Sequence, residues 1–270
     1  MKCLRLLPLI ALGVLTFNDA KAAEDFTNPL YLPSESEILS TTSVGYERVK
    51  FDNLGAKEDF IVRENLMFGI APETAVFAAI GNRFNFQYLT NEDYNNEFNF
   101  DYELGIAKNF RFENGWLMQA NASYHTFDPE SWYGHNGVAK EKIEDIYGNT
   151  RWQKEIAGEV MAGYELEDGL MPYASLGLSS NIDDADRTLQ YSVFAGVHKT
   201  EYQFSYDAGL RYDFETTDDK NQNWYMEGAA DYFFGDNMSV GGVLKYRFGG
   251  ENEPDVDYGY SAEARFKILF

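Results

Sequence analysis

The 270-residue sequence predicts an all-β fold: a closed antiparallel up-and-down transmembrane β-barrel of twelve strands. About twelve segments alternate apolar and polar residues at a period of two, as strands do when their two faces meet different surroundings. Short and long connections between the segments alternate along the chain. Aromatic residues make up 16% of the sequence, a high share that two aromatic girdles would account for. Because such barrels favour even strand numbers, about ten or about fourteen strands are the alternatives.

Residues 1–22 are predicted to be a cleaved signal peptide. Lys2 and Arg5 stand near the start of an apolar run that ends at Phe17, and Ala20-Lys21-Ala22 forms a small-residue cleavage site. The apolar run is too short to span a bilayer comfortably. Cys3, the single cysteine, lies within this leader, so the mature chain is expected to contain no disulfide.

Residues 23–36 are predicted to be an irregular periplasmic lead-in, followed by the barrel over residues 37–270. Pro29 and Pro33 cannot donate to a strand ladder, so we expect this lead-in to remain unpaired.

The first six predicted strands cover residues 37–51, 59–70, 75–88, 98–112, 116–125 and 151–166. The phase of the first strand breaks near Val49, where a bulge is expected. In the second strand Glu64 falls on the apolar face, against the pattern. The fourth strand is the cleanest, because Tyr102 and Leu104 alternate with Asp101 and Glu103 in a way that a helix cannot sort into two faces.

The last six predicted strands cover residues 170–182, 188–198, 202–214, 223–234, 238–248 and 257–270. The tight connections are 71–74, 113–115, 167–169, 199–201 and 235–237, and the longer, mostly acidic ones are near 52–57, 90–96, 128–150, 183–187, 215–222 and 249–256. Short periplasmic turns and longer outer loops are typical of outer-membrane barrels, and an even strand count places both chain ends in the periplasm. The 128–150 loop is the longest, and loops of that length often carry function.

The final strand ends the chain on an aromatic residue. Its apolar face carries Ala262, Ala264, Phe266, Ile268 and Phe270. This ending resembles the C-terminal assembly signal of Gram-negative outer-membrane β-barrel proteins, and the strand pattern is porin-like without indicating a subfamily. The resemblance implies that these residues are read by the barrel assembly machinery. It also implies periplasmic chaperones, outer-membrane lipid and lipopolysaccharide as partners.

The inward positions predict a lumen of mixed charge. The expected lumen-lining residues are Arg63, Arg83, Asp101, Glu103, Arg111, His125, Glu155, Glu159, Asp207, Arg211, Glu227, Asp231, Lys245, Arg247, Glu263, Arg265 and Lys267. About twelve strands leave a lumen between that of a filled small barrel and that of an open porin. The sequence therefore predicts a narrow channel for small hydrophilic solutes or ions, with mild cation preference from the acidic rim. A salt-bridged, filled interior is the alternative.

Two other functions remain open. One is a closed barrel with a structural or surface-interaction role carried by the 128–150 loop. The other is a lipid hydrolase, because His125, Ser131 and Asn136 loosely resemble the His-Ser-Asn set of outer-membrane phospholipase. Their order and spacing do not match that motif, so no catalytic residue is assigned and no enzyme is expected.

The charge and the motifs narrow the possible partners. A net charge of −22 disfavours nucleic acid, whose phosphates need Lys and Arg. The acidic loops lack the spacing of a dedicated calcium loop. We expect no cofactor and no bound metal, and the sequence leaves the oligomeric state undetermined.

Overall fold

The computed structural model describes residues 25–51, 55–85, 99–127, 153–167, 169–182, 189–215, 222–250 and 256–270. Twelve strands in these ranges form one closed antiparallel barrel in which sequence neighbours are sheet neighbours. The strands are β1 (Ile38–Phe51), β2 (Gly55–Ala71), β3 (Thr74–Asn85), β4 (Asn99–Arg111), β5 (Trp116–Phe127), β6 (Gln153–Tyr164), β7 (Leu170–Asn181), β8 (Leu189–Glu201), β9 (Phe204–Glu215), β10 (Gln222–Phe233), β11 (Met238–Gly249) and β12 (Val256–Leu269). The predicted fold class and strand count are confirmed.

The barrel closes where β1 pairs with β12. The two strands run in register from Leu39↔Leu269 onward, and the register shifts between Lys50 and Phe51, close to the bulge expected near Val49. Ile38 and Phe270 exchange backbone N–H···O hydrogen bonds of 3.1 and 2.8 Å. The C-terminal residue is therefore held by the first strand rather than projecting freely.

The two faces of the wall sort as their alternation predicts. Large apolar side chains point outward and stay exposed, for example Leu104 at 62% and Leu244 at 66%. No second protein layer covers them among the described residues, which is the arrangement of a barrel whose outer face meets hydrocarbon. In the part of the chain that the structure describes, no helix is long and apolar enough to cross a membrane.

The two ends of the barrel differ. The five tight connections lie at one end, here called the tight-turn end, and Gly115 and Gly169 close two of them with φ of 86° and 78°. Tyr202 also lies in a turn, with φ of 56°, so β9 begins at Phe204 rather than at Tyr202 as predicted. The opposite end is called the loop end. The 128–150 loop, the predicted signal peptide and parts of the other long connections fall outside the described residues. The connection predicted over 52–57 is shorter, because β2 begins at Gly55 rather than at residue 59.

The expectation that the lead-in remains unpaired is wrong at its end, at Glu35 and Ser36. Glu35 forms a parallel bridge with Gly69 of β2, and the N–H of Ser36 donates to the Gly69 carbonyl at 2.9 Å. Burial inside the barrel removes the apolar side chains of this segment from water, which favours the paired position. Residues 25–37, called the N-terminal segment below, enter the tight-turn end of the barrel.

Candidate functional site: the barrel lumen

The N-terminal segment fills the tight-turn end of the lumen with apolar side chains. Phe26 and Leu30 are 2% and 0% exposed, and Phe26 meets Phe233 of β10 edge-to-face at 5.2 Å between ring centroids. Leu32 packs with the buried Ala75 of β3 and Ala107 of β4. Small wall residues leave room here for the large residues of the segment. The sequence pattern gave no hint of this, because the segment has no strand periodicity.

Two glycines of the wall receive the segment at close range. A Cβ on Gly69 would lie 1.9 Å from the carbonyl oxygen of Ser34, and one on Gly163 would lie 2.8 Å from Cδ1 of Leu30. Any side chain at Gly69 would therefore collide with backbone. The segment and the wall are fitted to each other at these positions.

A buried polar cluster anchors the start of the segment. His198 of β8 lies between two carboxylates, with Nε2 2.7 Å from Asp25 and Nδ1 3.0 Å from Asp207. The Thr200 hydroxyl also donates to Asp25 at 2.5 Å. Burial alone would raise the pKa of Asp25, but hydrogen bonds from His198, Thr200 and Thr27 outweigh it and lower the pKa to about 2. Asp25 is thus held as a carboxylate against the wall.

Further hydrogen bonds tie the middle of the segment to the wall. The hydroxyls of Thr27 and Ser205 of β9 are hydrogen-bonded at 2.7 Å. The Asn109 side chain of β4 donates to the Leu30 carbonyl at 2.9 Å and accepts from Gln119 of β5 at 3.0 Å. Together with His198 and Thr200, these bonds join the segment to β4, β8 and β9.

One group of ion pairs joins the inner faces of β1 to β4. Arg63 contacts Asp101 at 3.1 Å and Glu103 at 2.5 Å. On the same side of the barrel Arg83 contacts Glu47 at 2.5 Å and Asp59 at 2.9 Å. Arg63 of β2 joins two carboxylates of β4, and Arg83 of β3 joins one carboxylate each of β1 and β2, so the two guanidiniums cross-link the wall from within.

A second group of ion pairs lies between β9 and β12. Glu227 accepts from Arg211 at 2.7 Å and lies 3.2 Å from Lys245. Asp231 is 2% exposed and pairs with Arg265, with Lys267 3.8 Å away. Asp231 lies deeper, toward the N-terminal segment, whereas Glu227 lies toward the middle of the wall.

The loop-end half of the lumen contains a cavity of about 610 Å³. Among the described residues that line it, one side chain is cationic, Arg211, and five are acidic: Glu103, Glu155, Glu159, Asp213 and Glu215. Hydroxyls and amides from β5 to β10 complete the lining. A smaller cavity of about 220 Å³ lies beside β1 and β12, lined by Arg83, Lys245, Glu47, Glu227 and Glu263. The larger cavity is therefore hydrophilic and carries an excess of negative charge.

The predicted lumen-lining residues are distributed unevenly. Arg111 lies at the tight-turn rim, where it contacts Glu73 at 2.6 Å. Arg247 donates to Asn223 at 2.5 Å. Five acidic residues of the site were absent from the predicted set: Glu47, Asp59, Asp213, Glu215 and Asp25. Glu47, Asp59 and Asp213 stand at inward positions of their strands, so the same alternation could have found them; Asp25 has no such pattern.

The described residues form neither a hydrolase site nor a metal site. His125 of β5 lies in the lumen with Nε2 3.8 Å from Asp101, while Ser131 and Asn136 lie outside the described residues. No group of three or more His, Cys, Asp or Glu in the described ranges is arranged to hold a metal ion.

No protein-family model and no curated protein sequence matches the chain. Solved structures do resemble it. An outer-membrane channel from Pseudomonas putida F1 has a TM-score of 0.60 at 12% identity, covering 94% of this chain and 100% of that chain. The NanC porin has a TM-score of 0.56 at 10% identity, covering 85% of this chain and 98% of that chain.

A third similar structure is the translocator domain of the autotransporter NalP from Neisseria meningitidis. Its TM-score is 0.53 at 8% identity, covering 88% of this chain and 90% of that chain. At such low identity these likenesses establish the fold alone. The chain has the fold of Gram-negative outer-membrane β-barrels, porins and channels among them, with no particular subfamily identified.

Proposed function

We propose that the protein is a narrow outer-membrane channel for small hydrophilic solutes or ions, with a preference for cations. One observation carries the proposal: the cavity of about 610 Å³ in the loop-end half, where five carboxylates face one guanidinium. Carboxylates lining a confined aqueous space raise the local concentration of cations and lower the barrier to their entry. The fold shared with outer-membrane channels supports the same assignment by analogy.

The N-terminal segment defines the restriction in this channel. Phe26, Leu30 and Leu32 occupy the tight-turn end and offer no polar surface to a hydrated ion. A solute in the cavity can therefore leave through the tight-turn end only by passing the segment or after the segment has moved. This arrangement predicts small and intermittent conductance rather than the steady current of a wide porin.

The direct test is conductance of the full chain, refolded and inserted into planar lipid bilayers. We expect discrete openings and a reversal potential on the cation side in a potassium chloride gradient. The double variant Glu155→Gln/Glu159→Gln should move the reversal potential toward zero, because it removes two of the five lining carboxylates. Glu113→Gln, exposed in a tight turn, is the matched control and should leave it unchanged. Absence of discrete openings in all three proteins contradicts the channel.

A closed barrel is the second candidate, and the buried N-terminal segment favours it. The protein would then act as a rigid outer-membrane body, with the 128–150 loop as a contact surface. This candidate is supported if the protein shows no conductance although it is folded. Folding is judged by a difference in electrophoretic migration before and after boiling.

Location and biogenesis follow from the same assignment. We place the tight-turn end and both termini in the periplasm, with the outer face against outer-membrane lipid and lipopolysaccharide. Ala262, Ala264, Phe266, Ile268 and Phe270 are proposed to present the assembly signal to the barrel assembly machinery after periplasmic chaperones deliver the chain. Phe270→Ala should then lower the amount of folded protein in the membrane without changing the conductance of the protein that folds.

A further inference from the structure

The outer face of the barrel carries polar residues where hydrocarbon is expected. Ser40 and Thr42 of β1 donate their hydroxyls to the two oxygens of Glu64 on β2, at 2.6 and 2.5 Å. The register pairs Thr42 directly with Glu64, and Val44 beside them is 40% exposed. Glu64 therefore lies on the outward face of β2, as the break in the sequence alternation indicates. These three residues and Asn82 of β3 are called the outer polar cluster.

Asn82 extends the cluster onto the next strand. It pairs with Val62 across from β2 and with the exposed Phe100 across from β4, so it points outward. Its side-chain oxygen is buried and has no hydrogen-bond partner. A carboxylate accepts about four hydrogen bonds in all, so Glu64, with two hydroxyl donors, also retains unused acceptor capacity.

The cluster lies near the middle of the apolar band. On the outward side of β2, Phe60 and Phe68 stand four positions to either side of Glu64. With a rise of about 3.4 Å per residue and a tilt of about 40°, four residues span about 10 Å along the membrane normal, close to half of a band of about 25 Å. By contrast, Arg48 and Glu58, also outward, pair with each other at 2.7 Å nearer the loop end. Lipid headgroups and water reach that pair more readily than Glu64.

Hydrocarbon supplies no hydrogen bonds, so polar groups at this depth are costly unless protein partners meet them. The hydroxyl protons of Ser40 and Thr42 are already donated to Glu64, so the donor that the cluster offers to a partner is the Asn82 amide, and its acceptor is Glu64. A surface that holds both is complementary to itself, which is what a two-fold interface between identical subunits requires. An axis along the membrane normal keeps depth constant, so each copy of the cluster would face the other.

Small residues beside the cluster leave room for close approach. Ala262 and Ala264 of β12 and Gly242 of β11 point outward next to β1, with Ala264 paired to both Val44 and Gly242. We propose that the outer polar cluster is the centre of an interface with a second copy of this chain, formed within the membrane across β1, β2 and β3. This proposal is independent of whether the lumen conducts.

The sequence makes a clean test available. Cys3 is the single cysteine, so Cys3→Ser in the full chain gives a cysteine-free background. Leu66→Cys places a thiol beside the cluster, and Leu176→Cys on β7 is the matched control on the far side of the barrel. Both leucines are outward and exposed, at 44% and 57%. Each protein is reconstituted at low density in phosphatidylcholine vesicles and treated with a short bifunctional maleimide.

We expect a covalent dimer as the main product for Leu66→Cys and no covalent dimer for Leu176→Cys. Adding Glu64→Leu to Leu66→Cys should also abolish the dimer, whereas Glu64→Gln, which still hydrogen-bonds, should retain it. Asn82→Leu gives a second route should Glu64→Leu not fold, as checked by migration with and without boiling. Equal cross-linking at both thiols, none at either, or a dimer that survives both leucine substitutions overturns the proposal. So does a product in native membranes that joins this chain only to a different protein.

Discussion

The two halves of the lumen show opposite solutions to the same problem of filling a twelve-stranded barrel. At the tight-turn end the wall carries small residues, and an apolar segment from outside the wall occupies the space. At the loop end the wall carries carboxylates and hydroxyls, and a cavity of about 610 Å³ remains. The wall is antiparallel sheet in both halves. The difference teaches that side-chain size and charge, rather than strand number alone, decide where such a barrel is open.

Removing the segment should have the largest effect on this contrast. Deletion of residues 25–36 takes the apolar filling from the tight-turn end while leaving every strand intact, so conductance should rise several-fold. Single-channel recording in planar bilayers measures it. Heat-dependent migration of the variant verifies that the barrel still folds. Unchanged conductance with an intact fold means that the segment does not limit passage.

A single methyl group should dislodge part of the segment. Gly69→Ala brings a Cβ to 1.9 Å from the Ser34 carbonyl oxygen, so the segment has to shift away from β2. Overpacking of this kind costs about 1–3 kcal/mol, which favours opening of the segment. Faster proteolytic cleavage within residues 25–37 reports it. Gly249→Ala is the control, because its Cβ meets nothing within 4 Å, and equal cleavage of the two variants would argue against the fit described here.

Strong acid should weaken the anchor of the segment. The pKa of Asp25 is lowered from 3.8 to about 2, so its contribution is complete above pH 3.8 and is lost as the pH falls through about 2. The contribution is about 2 kcal/mol. Hydrogen exchange of the segment amides between pH 5 and about 2 measures the loss, after correction for the intrinsic exchange rate. His198, Asp207 and Lys267 face the same site, so Asp25→Asn is needed as the reference.

In Asp25→Asn the segment should be less protected at pH 5, and the acid-dependent step should be absent. A step of the same size in the variant assigns it to another carboxyl group of the cluster.

The smallest effect is expected at the loop end, where Glu159→Gln removes one of five lining carboxylates and should shift the reversal potential only slightly. A larger shift than that of Glu155→Gln/Glu159→Gln would show that the two carboxylates do not act in the same sense.

Particular residues show how far the sequence carried the prediction. Tyr102 and Leu104 against Asp101 and Glu103 located both faces of β4 correctly, because a strand allows only two side-chain directions. Glu64 is an exception that the alternation of β2 reveals, but its hydroxyl partners Ser40 and Thr42 belong to another strand and follow only from the register. The Arg83 partners Glu47 and Asp59 required the register between β1, β2 and β3, which alternation alone does not fix.

The sequence by itself determined the strand count, the direction of each face and the position of the tight turns, because these follow from local period and turn chemistry. Only the tertiary structure decided that residues 25–37 enter the barrel, that His198 joins Asp25 to Asp207, and that the open space lies toward the loops. Such features depend on contacts between residues as far apart as 173 positions. No local pattern records which distant side chains will share a cavity once the sheet has closed.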